Sequence, residues 1–389
     1  MDAAALPPSA LAALADRPFG VYVHVPFCAA RCGYCDFNTY LSGDHGAYVT
    51  AVERELGLAR EVLGAGAPPA STVFFGGGTP SLIGAPRLVR ILDAIRVALG
   101  LAGDAEVTVE CNPEDTSAAM LAELRAAGFT RVSLGMQSAV PRVLRALDRR
   151  HTPGRAVAAA VEARAAGFEH VSLDLIYGAA AETDADWVAS LDAAVAARPD
   201  HVSVYGLTVE PGTRLAARVA RDAAAGPNED AQARRHLHAE ERLAAAGYEQ
   251  YEVSSWAATP ASRCRHNEGY WTSANWWGAG PGAHSHVGGV RWANVLRPAA
   301  YAARLARGES PAASHEVLTP EQQAAERVLL GLRRAAGLPL AGLGPRGRAA
   351  APEQAEGGWL DGEALADGRA ALTRRGRLVA DAVALALIE

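Results

Sequence analysis

The 389-residue sequence predicts an α/β fold, a partial or complete (β/α) TIM-like barrel followed by a small winged-helix-like α+β domain at the C-terminal end. Short β-branched or aromatic runs alternate with alanine-rich segments of helical character along most of the chain. Three related segments, AAGFTRVSLGMQ, AAGFEHVSLDLI and AAGYEQYEVSSW, each place a glycine between a helix and the strand that follows. Such alternation indicates parallel strands joined by right-handed crossovers, and it favours a barrel over an open sheet.

The strands of the predicted barrel follow one another in chain order. The predicted strands are residues 20–25, 72–75, 106–110, 131–135, 170–176 and 201–207. The third copy of the glycine-containing segment predicts a further strand near residues 251–254. In a barrel of this kind the carboxyl ends of the strands carry the functional side chains.

The pattern changes near residue 300, which divides the chain into a barrel domain at 1–295 and a C-terminal domain at 300–389. Helical segments around 320–335 precede a Gly/Pro-rich stretch at 342–358. The remainder predicts a helix, a short hairpin around 369–377 and a terminal helix. We interpret this domain as a packing module without chemistry of its own.

Charge and composition exclude several classes of function. The net charge is −6 and the pI is near 6.0, so the chain lacks the basic field on which nucleic-acid binding relies. All 37 basic residues are arginine, which excludes a lysine Schiff base and a Walker lysine. The sequence shows no signal-peptide pattern and no apolar run of membrane-spanning length, so we expect a cytoplasmic protein for which only peripheral membrane contact is open.

Three of the five cysteines, Cys28, Cys32 and Cys35, lie within the segment YVHVPFCAARCGYCDF. Three thiolates on one short loop can ligate three irons of a cubane cluster and leave the fourth iron open to chelate a ligand. Zinc is the competing metal, with His24 as a fourth ligand, although the paired CxxC motifs of structural zinc sites are absent from the sequence. A structural trio of buried thiols is the third interpretation.

The CxxxCxxC spacing, with Tyr34 before the last cysteine and a predicted strand before the first, resembles the radical S-adenosylmethionine superfamily. Across residues 20 to about 290 the chain resembles the oxygen-independent coproporphyrinogen III oxidase group, through YVHVPFCxxxCxYC, FFGGGTPS, VECNPE, SLGMQS, DLIYG and YGLTVEPGT. Within that group the decarboxylating oxidases carry a fourth cysteine two positions after the third. This chain has Phe37 there, as do the HemW-type haem chaperones.

The resemblance implies a barrel of the radical S-adenosylmethionine type with a 4Fe-4S cluster on Cys28, Cys32 and Cys35. It further implies that S-adenosylmethionine chelates the open iron and that an electron donor reduces the cluster. The residues that it assigns to S-adenosylmethionine are Tyr22, Tyr34, Gly77, Gly78, Thr79, Glu110, Gln137, Arg149, Asp174 and Gly206.

The resemblance also gives roles to these residues. Tyr22 is expected beside the cluster, Tyr34 against the adenine, and the backbone of 77–79 against the methionine amino group. Arg149 is expected to pair with the methionine carboxylate.

Glu110, Gln137 and Asp174 end successive predicted strands, where each can hydrogen-bond ribose hydroxyls or the ammonium group. For any single residue the plainer alternative is a turn glycine, a helix cap or a surface charge. Cys111 follows Glu110 on a strand, where alternation points it the other way, and we interpret it as a small core residue.

The segment 263–289 contains the pattern HNxxYW at His266, Asn267, Tyr270 and Trp271, which resembles a haem-chaperone signature. The resemblance implies haem binding, with His266 as an axial ligand and aromatic walls for the porphyrin. The alternative is that the tryptophans close the open side of the barrel and that His266 is hydrogen-bonded in the packing. Rival ligands are Cys264, His284 and His286, and GAGPGAHSH is interpreted as a glycine-rich turn near the cofactor cavity.

Two functions of different classes follow. The first is a haem chaperone that binds haem, a 4Fe-4S cluster and S-adenosylmethionine and delivers haem to acceptor proteins, respiratory ones among them. The second is an oxygen-independent oxidase that decarboxylates coproporphyrinogen III, and a radical enzyme with an unrelated substrate is a third possibility. Phe37, the HNxxYW pattern and the short stretch before Tyr22 favour the chaperone.

Overall fold

The computed structural model describes residues 6–388, and within them one large mixed sheet organises the barrel. The strands are β1 Phe19–Val25, β2 Ala70–Gly77, β3 Leu101–Cys111, β4 Arg131–Gln137, β5 His170–Tyr177, β6 His201–Gly206, β7 Glu249–Glu252, β8 Ser255–Ala257, β9 Asn275–Ala279, β10 His284–Val287, β11 Val290–Asn294, β12 Ala312–Val317, β13 Leu338–Pro339 and β14 Arg369–Ala370. The helices are α1 Pro8–Ala12, α2 His45–Leu63, α3 Ala85–Ala98, α4 Ala118–Ala126, α5 Pro141–Ala146, α6 Arg155–Ala165, α7 Asp184–Ala196, α8 Arg214–Val219, α9 Glu229–Ala245, α10 Arg265–Trp271, α11 Pro298–Ala306, α12 Pro320–Gly331, α13 Pro345–Glu356, α14 Gly362–Ala366, α15 Arg374–Arg377 and α16 Ala380–Ile388.

The sheet is a partial barrel. Strands β1 to β6 lie side by side in chain order and run parallel, with β9 parallel to β1 on the other side. Strands β10, β11 and β12 extend one end antiparallel, and β8 and β7 extend the other. The two outermost strands, β12 and β7, do not pair with each other in the described part of the chain, so the barrel is open. The predicted α/β class and all six predicted strands are confirmed.

Helices cover the outer face of the parallel strands, so the side chains on that face are buried. In β1 the outward Val21, Val23 and Val25 are fully buried in the main apolar core, together with side chains of α2. Since side chains alternate along a strand, Tyr22 and His24 point to the opposite, inner face. The inner face at the carboxyl ends of the strands is where polar side chains collect.

The further strand predicted near residues 251–254 corresponds to β7, Glu249–Glu252, but β7 is one arm of a hairpin and not a parallel barrel strand. This segment forms a tight hairpin in which β7 and β8 run antiparallel, and β8 pairs antiparallel with β6. The buried Glu252 carboxylate accepts hydrogen bonds from the Ser254 amide and hydroxyl, both at 3.2 Å. These bonds reverse the chain where a parallel strand would have continued.

The predicted hairpin at 369–377 is wrong. Strand β14 pairs instead with β13, about thirty residues earlier in the sequence, and Arg374–Arg377 is helical. The Thr373 hydroxyl accepts from the Gly376 amide at 3.0 Å, which favours a helical turn over a second strand. The Gly/Pro-rich stretch contains α13, which begins with a proline at its first position.

The C-terminal helices surround a second apolar cluster, separate from that of the barrel, between Val328 and Leu387. This part of the chain rests on the barrel through charged contacts with α9, where Arg374 bonds Glu240 at 2.8 Å and Glu241 at 2.7 Å. Among residues 6–388, none of the helices combines the length and the apolar character that a membrane crossing requires.

A buried ion pair joins β3 and β4. Glu106 on β3 and Arg131 on β4 are 5% and 1% exposed, and their side chains meet at 3.3 Å. Glu106 also accepts hydrogen bonds from the backbone amides of Arg265 and His266, at 3.1 and 3.0 Å. These amides begin α10, so one carboxylate fixes the helix that carries the HNxxYW pattern.

We predict that Glu106→Ala lowers the free energy of unfolding by about 3–5 kcal/mol, because it leaves a buried guanidinium without its partner. The measurement is urea unfolding of the cluster-free protein. The matched control is Glu309→Ala, which removes an exposed ion pair with Arg307 and should change stability by less than about 0.5 kcal/mol. Equal effects of the two substitutions would contradict the prediction.

Candidate functional site

The cysteine loop connects β1 to α2 and is closed at its base by backbone hydrogen bonds. Cys28 donates to the Tyr40 carbonyl at 3.0 Å, and Tyr40 donates back to the Pro26 carbonyl at 2.7 Å. Cys28 is buried, whereas Cys32 and Cys35 are half-buried. All three thiols line the same cavity at the carboxyl ends of the barrel strands.

Two side chains from neighbouring elements reach the sulfurs. The Thr79 hydroxyl lies 3.5 Å from Cys28 Sγ, and Arg149 Nη1 lies 3.7 Å from Cys32 Sγ. Burial raises the pKa of the Cys28 and Cys35 thiols above the ordinary value. A cysteine binds a metal as the thiolate, and burial disfavours the negative charge of the thiolate. A bound metal cation would stabilise that charge in this loop.

His24, the fourth ligand of the zinc interpretation, is not free to bind a metal. Its Nδ1 is hydrogen-bonded to the Tyr22 hydroxyl at 3.0 Å, and its Nε2 to the Asn38 carbonyl at 3.0 Å. Across residues 6–388 no group of three or more His, Cys, Asp or Glu side chains is arranged to hold a single metal ion. The geometry gives the zinc interpretation no fourth ligand at His24.

A cavity of about 530 Å³ lies below the cysteine loop, and it brings together all but one of the residues predicted for the cluster and for S-adenosylmethionine. The predicted residues that line it are Cys28, Cys32, Tyr34, Cys35, Gly77, Gly78, Thr79, Glu110, Gln137, Arg149, Asp174 and Gly206. The exception is Tyr22, which lies on the inner face of β1 and lines a second cavity. Cys111 is buried, as expected of a small core residue, and it also borders the first cavity.

The glycine run after β2 holds the cysteine loop against the strand ends. The amides of Gly78 and Thr79 donate to the carbonyls of Val25 and Phe27, at 2.8 and 2.7 Å. A Cβ atom at position 78 would lie 2.6 Å from the Phe27 oxygen, and Gly77 has a φ of +107°. Only glycine allows this approach and this backbone conformation.

Two acids on neighbouring parts of the sheet line the same cavity. Ser133 Oγ donates to both carboxylate oxygens of Asp174, at 3.0 and 2.9 Å, and the Gly77 amide donates to Glu110 at 3.3 Å. Burial, followed by the negative charge of Asp174, raises the pKa of Glu110 to about 8. Burial likewise raises the pKa of Asp174. Such a pair favours a cationic ligand, because a positive charge lets both carboxylates ionise.

Arg149 and Gln137 supply further polar groups to the same cavity. Arg149 Nη2 donates to the Gly135 carbonyl at 3.0 Å, and Arg149 Nε is buried without a hydrogen-bond partner. Gln137 ends β4 with a φ of +60°, a conformation that is uncommon outside glycine. A residue with an uncommon backbone conformation and a buried Arg149 Nε without a hydrogen-bond partner lie at one cavity, which is typical of a ligand site.

The four residues of the HNxxYW pattern do not form one surface. His266 is 4% exposed, stacks on Phe74, and has both ring nitrogens in hydrogen bonds, Nδ1 to Thr72 Oγ1 and Nε2 to the Tyr270 hydroxyl, each at 2.9 Å. Asn267 lines the first cavity and Tyr270 the second, whereas Trp271 lines neither. As placed, His266 presents no free nitrogen to a ligand.

The second cavity, of about 430 Å³, was not predicted from the sequence. It lies between the end of the cysteine loop and the glycine-rich turn before β10. Its lining residues are Tyr22, His24, Asp36, Phe37, Asn38, Tyr270, Trp276, Gly282, His284 and Leu296. Asp36 and Phe37 also line the first cavity, so the two cavities share a wall.

Residues 22–194 match the model of the radical SAM superfamily. An E. coli structure described as coproporphyrinogen III oxidase (HemN), a radical SAM enzyme, superposes with a TM-score of 0.82 at 24% identity, covering 97% of this chain and 92% of that one. This similarity establishes the fold, a partial barrel with its C-terminal extension.

Relatives named heme chaperone HemW are similar over most of their length. The protein of Mycobacterium tuberculosis is 53% identical over 384 residues, which is 97% of each chain. The Bacillus subtilis protein is 34% identical over 82% of this chain and 84% of its own, and the Escherichia coli protein is 37% identical over 69% and 70%. The chain belongs to the radical SAM superfamily and, within it, to the HemW family.

We predict that Glu110 makes the cluster-free protein less stable as the pH rises. Its folded pKa of about 8 exceeds the ordinary 4.5, so the folded state binds the extra proton and loses that advantage between these values. Glu110→Gln removes the titration, and the difference from wild type should grow by up to about 1.4 kcal/mol per pH unit within this range.

The measurement is urea unfolding of both proteins between pH 5 and pH 9. Glu55, whose pKa burial raises to about 7, contributes the same pH dependence to both proteins and cancels in the difference. Parallel stability curves would show that Glu110 ionises in the folded state as it does in water.

Proposed function

We propose that this protein is a haem chaperone that carries a 4Fe-4S cluster and S-adenosylmethionine and delivers haem to acceptor proteins. The observation that carries the proposal is Phe37, which stands two positions after the last cysteine and forms the wall between the two cavities. A phenylalanine can neither ligate metal nor donate a hydrogen atom, so this position supplies an apolar surface. The relatives named heme chaperone HemW support the same function.

Cys28, Cys32 and Cys35 would hold the cluster, because they lie on one loop and line the same cavity. Thr79 contacts the sulfur of Cys28, and Arg149 contacts that of Cys32. Three cysteine ligands leave one iron open toward the cavity. When bound, the cluster supplies the electron that S-adenosylmethionine chemistry requires, and an external electron donor must reduce it. Hydrogen bonds and positive charge beside the sulfurs stabilise their thiolate form.

S-adenosylmethionine would occupy the first cavity. Arg149 lies beside Cys32 with an unsatisfied Nε, and it is placed to bind a carboxylate near the cluster. Glu110 and Asp174 face the same space and would bind ribose hydroxyls or the ammonium group. Tyr34 lines the cavity from the cysteine loop and offers its ring to the adenine. Tyr22 lies outside it and is left out of this assignment.

We also propose that the chain divides into the barrel at 1–295 and a C-terminal unit at 300–389. The separate apolar cluster between Val328 and Leu387 supports this division. No cavity residue of either site comes from beyond Leu296. The C-terminal unit would therefore act through packing, or through contact with an acceptor protein, and not through the chemistry of the site.

We predict about four iron and four sulfide per chain after anaerobic reconstitution. Substitution of Cys28, Cys32 or Cys35 by Ala should abolish both, because each removes one ligand from the cluster. Cys111→Ala is the matched control, since Cys111 is a buried thiol on β3 outside the loop, and it should retain iron and sulfide. Stoichiometric zinc without acid-labile sulfide in the wild type would refute the cluster assignment.

We predict that the reconstituted wild type binds haem stoichiometrically and forms no protoporphyrinogen from coproporphyrinogen III. The test is a haem titration followed by its Soret band, in parallel with an anaerobic assay of coproporphyrinogen III with S-adenosylmethionine and a reductant. Transfer of the bound haem to an apoprotein acceptor tests delivery. Decarboxylation by the wild type would establish the oxidase alternative despite Phe37, and failure to bind haem would refute the chaperone.

A further inference from the structure

The second cavity is a cleft with flat aromatic walls. Tyr270 and Trp276 meet edge to face, with ring centroids 4.8 Å apart and an interplanar angle of 89°. At the mouth of the cleft, Phe37 and Leu296 are 55% and 60% exposed although both line the cavity. Two exposed apolar side chains beside an aromatic wall suit a flat apolar ligand that covers them.

One histidine in this cleft has a free ring. His24 and His266 have both nitrogens in hydrogen bonds, and the buried His286 donates from Nδ1 to the Ala274 carbonyl at 2.9 Å. The imidazole of His284 is exposed at the edge of the cleft and makes no hydrogen bond within residues 6–388. An unpartnered imidazole beside an aromatic cleft has the chemistry of a haem axial ligand.

The backbone of His284 is held firmly, although its ring is free. Its carbonyl oxygen accepts from Trp276 Nε1 at 2.9 Å, and the preceding turn is anchored where the buried Glu55 accepts from the Gly280 amide at 2.8 Å. Gly278 lies directly against the His284 carbonyl, where a side chain would collide. The imidazole therefore projects from a fixed point at the start of β10.

The two sides of the cleft are tied together by Asn38. Its Nδ2 donates to the carbonyl oxygens of Pro281 and Leu296, at 3.0 and 2.8 Å, and the Tyr40 hydroxyl donates to the same Leu296 oxygen at 3.2 Å. The end of the cysteine loop is thus bound to the turn before β10 and to the segment after β11. The cleft is formed before any ligand arrives.

We propose that haem binds in this cleft, between Phe37 and Leu296 at its mouth and Tyr270 and Trp276 at its wall, with the His284 imidazole as axial ligand to the iron. The inference rests on the proposed function, since it names the site at which a haem chaperone would hold its cargo. It places haem outside the cavity assigned to S-adenosylmethionine, with Phe37 between them. Within the HNxxYW pattern, Tyr270 forms part of this wall, and His266 is hydrogen-bonded to the Tyr270 hydroxyl.

The test is a titration of the full-length, reconstituted protein with ferric haem, followed by the Soret band and by electron paramagnetic resonance for the axial ligand. His284→Ala should lose the histidine-ligated spectrum and bind haem at least about tenfold more weakly. The matched control is His315→Ala, an exposed histidine on β12, which should behave as wild type. Added imidazole should restore the spectrum of His284→Ala, and iron and sulfide content verifies that the variant is folded.

A second variant tests the cleft independently of the ligand. Leu296→Glu places a charge at its mouth and should weaken haem binding while it leaves the histidine-ligated spectrum of the bound fraction unchanged. If wild type binds haem and His284→Ala keeps its affinity and spectrum, the ligand assignment is refuted and the chaperone function stands. If wild type binds no haem, both fail together.

Discussion

The close approach of the glycine run to the cysteine loop determines the arrangement of both cavities. Because Gly78 and Thr79 donate to carbonyls of the chain that leaves β1, the loop cannot move away from the barrel mouth. The loop roofs the first cavity, and its end forms one side of the second. A side chain at position 78 would meet the Phe27 carbonyl and separate the two segments. These two backbone hydrogen bonds thus hold the segment with the three thiols and Phe37 against the barrel.

The charges of the first cavity are arranged for a ligand with both signs of charge. Glu110 lies near the end of β3 and Asp174 in the middle of β5, and burial raises the pKa of each. Arg149 lies beside Cys32 and lines the same cavity. Without a ligand the two carboxyls share an environment that disfavours two negative charges. A ligand with separate cationic and carboxylate groups would pair with the two carboxylates and with Arg149 at the same time. S-adenosylmethionine has that distribution of charge.

Local signals in the sequence were sufficient for the parallel strands and for the cysteine loop, because both depend on short runs and fixed spacing. They did not indicate the hairpin of β7 and β8 or the helical turn at 374–377, where Glu252 and Thr373 redirect the chain through their own hydrogen bonds. The partner of His266 Nδ1, Thr72, is 194 residues away in sequence. The second cavity likewise joins Asn38 to Leu296, and no local pattern relates the two. These contacts exist only once the sheet has formed.

A haem carrier must both hold its cargo and release it, and the two cavities differ in this respect. The first cavity lies under the cysteine loop and is bordered by the buried carboxyl groups of Glu110 and Asp174. The cleft at Phe37 and Leu296 is open, and both side chains keep more than half of their surface exposed, at 55% and 60%. A porphyrin in the cleft would retain one exposed edge, and a single imidazole from the rim would hold its iron. An acceptor with its own imidazole could then approach the opposite face of the iron before His284 is released, so that haem need never enter water.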